Sequence, residues 1–84
     1  MTASQLFKTT RATHQLSLRE FGAALGISHT QVKQIEDGHD LPTRRNMADW
    51  IASDEAWVRV LGLELFGAQF APVIDGVLTP EVAA

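Results

Sequence analysis

His29, Thr30, Lys33 and Gln34 put an imidazole, a hydroxyl, an ammonium and a carboxamide into one short run of the chain. Setting His29 at 0° and advancing about 100° per residue, Thr30, Lys33 and Gln34 fall at about 100°, 40° and 140° on a helix. Val32 and Ile35 fall on the other side, at about 300° and 240°. The polar side chains therefore share one outward face, opposite an apolar pair that marks the core. Such a set recognises hydrogen-bonding edges. The major groove of DNA admits one helix, and its base edges suit these groups: Gln bonds adenine twice, Lys donates to guanine acceptors, and a Thr methyl meets the thymine methyl. A good bidentate contact contributes about 1–3 kcal/mol of discrimination.

Catalysis has little to work with in this chain. It holds no Cys and no Tyr, no His pair at ligand spacing and no nucleophile motif. Its serines read as helix caps, and no cofactor is implied. His39 with Asp37 and Asp40 is too crowded in one loop to read as a metal site. Without cysteine there are no disulfides or thiolate sites, which fits a reducing cytoplasm. The opening MTASQLFKTTRATHQ has no apolar run and does not read as a signal peptide. No stretch approaches the apolar length that spans a membrane.

The formal net charge of -3 is unfavourable for meeting a polyanion. The charge is unevenly spread, however. Residues 1–45 carry six bases (Lys8, Arg11, Arg19, Lys33, Arg44, Arg45) against four acids, a local +2. Residues 46–84 carry only Arg59 against six acids, a local -5. Local potential steers an anion, so the first half can face DNA while the second faces away.

The elements that must position the polar face follow from caps and periodicity. Eighty-four residues, 45% of them hydrophobic, fit one domain with an adequate core. A first helix is expected over about Ser4 to His14, with Leu6, Phe7 and Thr10 inward. Ser17-Leu18-Arg19-Glu20 is a capping box that opens a second helix, with Phe21, Ala24 and Leu25 as its stripe and Gly26 as its stop. Ser28-His29-Thr30-Gln31 reads as another box, so a third helix runs from about His29 to Glu36 and ends at Gly38. Thr43 caps a fourth, about Arg44 to Ala52, with Met47, Trp50 and Ile51 inward. Asp54 and Glu55 suit the first turn of a fifth, about Glu55 to Phe70, which Pro72 breaks. Beyond it, Asp75-Gly76 between apolar pairs is a hairpin signal, with an extended tail as the alternative reading.

In order and spacing, LSLREFGAALGISHTQVKQIEDGHDLPT resembles the helix-turn-helix of the lambda-repressor-like (Xre-type) regulators of phages and bacteria. The resemblance rests on the Ser-capped helix, Phe21-Gly22, Leu25-Gly26-Ile27-Ser28, Val32, Ile35-Glu36-Asp37-Gly38 and Pro42, and covers about residues 5–52. It implies an all-α, five-helix lambda-repressor-like DNA-binding domain with the helix-turn-helix at about 17–37. It puts the recognition helix on Ser28 to Asp37, with His29, Thr30, Lys33 and Gln34 at base-reading positions. It also sets Arg11 opposite Glu36 as a partly buried ion pair between the first and third helices. Leu18 and Phe21 depart from the Gln and Leu usual in the family. Arg44 and Arg45 at the start of the fourth helix, and Arg19 at the start of the second, sit where the helix dipole disfavours cations. Nearby phosphates would explain all three.

The second half carries a different signal. Val58, Leu61, Leu65 and Phe66 lie on one side of the fifth helix, Trp57 and Val60 widen that stripe and Leu63 extends it almost around, well beyond the about 100° that one core face needs; Trp57, Val58, Leu61, Leu65, Phe66 and Phe70 are the expected dimer contacts. Gly62 and Gly67 permit close backbone approach. A second protomer is the simplest burial partner; the alternative is that the stripe packs inside one domain. A two-fold dimer would offer two recognition helices about 34 Å apart to a palindromic operator on double-stranded DNA. The sequence is therefore expected to be a dimeric DNA-binding regulator, a repressor of its own or a neighbouring promoter, in a bacterial or phage-infected cytoplasm. The other expectation is an antitoxin-type interaction module whose apolar helix binds a different protein.

Overall fold

The structure is a computed structural model that describes residues 2–68. All regular structure among these residues is helical: α1 (Ala3–Thr13), α2 (Leu18–Leu25), α3 (His29–Glu36), α4 (Arg44–Ile51) and α5 (residues 56–68). No helix among them is long and apolar enough to cross a membrane. Phe70 and the Asp75-Gly76 hairpin signal lie outside the described residues.

Caps define the helix starts. Ser17 and Glu20 close the expected box, and the Ser17 bonds hold the exposed Glu20 carboxyl below its ordinary range. Thr43 pairs reciprocally with Asn46 at α4. Ser28 accepts from the Gln31 amide at 3.1 Å, but Gln31 does not reach back, so α3 has half of the expected box. α1 begins earlier than expected because Thr2 and Gln5 form a box of their own.

Three helices end alike. At the ends of α1, α2 and α3, the residues at 15, 26 and 38 have φ of 53°, 73° and 80°. Each is followed by an amide that reaches back five residues: Leu16 to Arg11, Ile27 to Gly22, and His39 to Gln34. This is the Schellman arrangement, which needs a left-handed residue. Gly26 and Gly38 adopt it freely, whereas Gln15 bears the Cβ penalty of about 1–2 kcal/mol. Gln15→Gly is therefore expected to stabilise the domain by roughly 0.5–1 kcal/mol after the entropy of the unfolded glycine is counted. Chemical denaturation of the two forms measures it.

All five helices contribute to one core: Leu6 and Phe7 from α1, Phe21 and Leu25 from α2, Val32 and Ile35 from α3, Met47 and Trp50 from α4, and Val58, Leu61 and Leu65 from α5. Ala24, expected inward, is exposed, and Gly22 takes its place against α3. Aromatic rings run through the centre. Phe7 meets Trp50 at 5.9 Å and Phe21 edge-on at 5.2 Å; Phe21 stacks on Trp57 at 5.5 Å, and His14 lies on Trp57 at 5.0 Å. Such pairs contribute about 0.5–1.5 kcal/mol each beyond area burial. Phe21 is large because it bridges α1 and α5.

This packing corrects the expected dimer face. Val58, Leu61 and Leu65 are fully buried within the chain's own core, and Trp57 is half-buried against Phe21. α1 to α4 leave an apolar face around Phe7, Phe21 and Trp50 that needs a lid, and α5 is that lid. Gly62 serves the same contact: a Cβ there would lie 2.9 Å from the Ile51 amide nitrogen. What remains outward on α5 is Val60 at 52%, Leu63 at 58% and Phe66 at 41% exposure.

Candidate nucleic-acid interface

The two helices that matter most meet at a close turn. α2 packs against α3, and α1 packs against α3 from another side. At Gly22 an added Cβ would lie 2.6 Å from the Ile27 carbonyl oxygen and 3.3 Å from the His29 nitrogen. A glycine is what lets α2 approach the start of α3 this closely. Trp50 then ties α4 to this unit by donating its indole N–H to the Leu25 carbonyl at 2.7 Å, satisfying a carbonyl that the end of α2 leaves open.

A partly buried ion pair sets the other end of α3. Arg11 Nε donates to Glu36 Oε2 at 2.7 Å and Nη2 to Oε1 at 3.0 Å, a fork that fixes both groups. Arg11 Nη1 also donates to the Leu16 carbonyl, and the Ser4 hydroxyl donates to the Glu36 carbonyl. The Glu36 side chain is only 5% exposed, the Arg11 side chain 30%. The hydrogen bond to Glu36 holds the Arg11 guanidinium above its ordinary value against the opposing effect of burial. α3 is thus clamped at its start by the Gly22 contact and at its end by Arg11.

With Val32, Ile35 and Glu36 inward, the opposite face of α3 carries His29, Thr30, Lys33 and Gln34, all exposed. The side chains of His29, Thr30 and Gln34 make no hydrogen bond or ion pair among the described residues, so their polar groups are available. Ser28, also exposed, uses its oxygen to cap Gln31 and keeps its proton to donate. Lys33 is different: its Nζ lies 2.9 Å from Asp37 Oδ1, an exposed pair one helical turn apart. Spacing alone could have revealed that pair, since Asp37 follows Lys33 by four residues.

The three arginines stand on other elements. Arg19 lies in the first turn of α2 and is exposed; Arg44 and Arg45 lie exposed in the first turn of α4. Arg19 and Arg45 form no ion pair with α3 or anything else among the described residues. Leu18, half-buried, packs against the core.

A concave feature lies between α1 and α5. It is a groove of about 320 Å³ floored by Leu6, Trp57 and Leu61 and edged by Thr9, Thr13 and Glu64. Thr9 and Thr13 are on the side of α1 opposite Ser4 and Arg11, so this groove faces away from α3. Comparison with known proteins returned no matching family model, no matching curated relative and no matching solved structure.

Proposed function

We propose that the chain is a sequence-specific DNA-binding transcriptional regulator, with α3 as the helix that enters the major groove. The observation that carries this reading is the outward face of α3. It holds free donors and acceptors on a helix clamped at both ends, and recognition by base edges requires such rigidity. His29, Thr30, Lys33 and Gln34 read bases. Ser28, Arg19, Arg44 and Arg45 hold phosphates, which relieves the unfavourable placement of cations at helix starts. The domain acts as a repressor by occupying a promoter, as the Xre-type resemblance implies.

A homodimer completes the proposal. With Val58, Leu61 and Leu65 inside, the outward side of α5 carries Ala56, Val60, Leu63 and Gly67, a spacing of four, three and four that suits a helix seam, with the exposed Phe66 on its flank. An antiparallel two-fold pairing centred between Leu61 and Gly62 sets Val60 against the other copy's Leu63 and Ala56 against its Gly67. The face is self-complementary in size, as a two-fold interface requires. The rival reading, a module that binds a different protein, is favoured by the same exposed Val60 and Leu63 and by the nearby groove.

One experiment tests both parts. Footprinting on the upstream region of its own gene is expected to show a protected palindrome. Gln34→Ala and Lys33→Ala are each expected to weaken specific binding by about 5- to 150-fold, equivalent to about 1–3 kcal/mol. If neither variant weakens it, α3 is not the reader. The mass in solution is expected to be that of a dimer, and of a monomer for Leu63→Glu; a monomeric wild type favours the rival.

A further inference from the structure

On the wheel that sets His29 at 0°, Asp37 falls at about 80°, between Lys33 and Gln34 and one turn further along. An acid therefore sits in the middle of the face proposed to meet DNA. Its position is doubly unfavourable there, because it ends α3, where the helix dipole repels negative charge, and it faces a polyanion. Lys33 of α3 bonds it at 2.9 Å. Its hydrogen bond with Lys33 holds the Asp37 carboxyl below the ordinary carboxylate range; partial burial opposes this, and the charges of Lys33, His39 in the following loop and Lys8 of α1 add to it.

We propose that Asp37 is a specificity-determining residue that holds Lys33 in the free domain and on unspecific DNA, and releases it only where a base acceptor is in place. This inference rests on the reading of α3 as the DNA helix. The carboxylate is an internal substitute for a phosphate. On a random sequence, a phosphate must compete with a partner already within hydrogen-bond distance and must approach the repelling charge of Asp37. Lys33 then adds little to counterion release, and unspecific affinity stays low. On the correct sequence, guanine acceptors in fixed positions replace the carboxylate, and the lysine transfers. The positive half of the chain thus avoids binding indiscriminately.

The test is Asp37→Asn, which keeps shape and removes charge, measured on a mixed-sequence duplex and on the sequence best bound by the wild type, across a range of salt. On the mixed duplex the variant is expected to bind tighter, on the order of tenfold at ~0.1 M salt, with a slope of log affinity against log salt steeper by about 0.9. Affinity for the best sequence is expected to rise less, so discrimination falls. Adding Lys33→Gln to the variant is expected to abolish the gain. An unchanged slope with normal wild-type binding overturns this inference alone. So does a loss confined to the best sequence, which would make Asp37 itself a base reader. A wild type that binds neither duplex overturns both this inference and the DNA-binding reading. Circular dichroism of the variant keeps a folding defect from imitating any of these results.

Discussion

Arg11→Met is expected to destabilise the domain by about 3 kcal/mol, among the largest single effects available to a side chain outside the apolar core. The fork between Arg11 and Glu36 is nearly closed on the acid's side, at 5% exposure. Removing the guanidinium strands a carboxylate that water barely reaches. Glu36→Leu is expected to cost less, since Arg11 at 30% exposure can turn its charge toward solvent. Combining the two is expected to recover much of the loss, because breaking a buried pair costs more than replacing it with packed apolar groups. Urea unfolding of the four forms measures the cycle, and equal costs for the two single variants would show that the pair is more open than its geometry indicates. The same pair locates the end of α3, so Arg11→Met is expected to weaken DNA binding even under conditions where it is folded.

Gly22→Ala is expected to cost about 2 kcal/mol and to lower DNA affinity by at least about tenfold. In most helices this substitution gains about 1 kcal/mol from propensity. Here the new methyl meets the Ile27 oxygen at 2.6 Å and the His29 nitrogen and Ser28 carbonyl carbon at 3.3 Å. All three are backbone atoms, so no side chain can rotate away; α2 and the start of α3 must separate. The shift moves His29 and Thr30 first. Melting curves and duplex titrations of Gly22→Ala beside the unaltered chain test this, and equal behaviour would refute the close-turn account.

Local chemistry made much of the fold legible. Ser17, Ser28 and Thr43 mark helix starts because a side-chain oxygen next to an unpaired amide is a contact within four residues. Gly26 and Gly38 mark ends because few other residues enter the left-handed region cheaply. The period of Val32 and Ile35 placed the core side of α3, and with it the outward His29, Thr30, Lys33 and Gln34. Thr2 and Gln15 each act without the usual signal: the box at Thr2 precedes any apolar period, and Gln15 takes a conformation that glycine normally fills. The Lys33–Asp37 contact was in plain view at helical spacing, but its meaning depended on knowing which face remained exposed.

The fate of α5 was beyond local reading. A stripe of apolar residues states that burial is needed, and burial by the same chain is chemically identical to burial by another. Only the packed arrangement shows that α1 to α4 leave a face the width of one helix, that Val58, Leu61 and Leu65 fill it, and that Gly62 lets the backbone down onto Ile51. Likewise the charges of Arg11 and Glu36 are evident in the chain, but their strength as a clamp comes from the water excluded around them. Helix identity and capping follow from short-range bonds that any segment carries with it. Which apolar face is inside, and which carboxylate is shielded from water, depends on what the rest of the molecule has already covered.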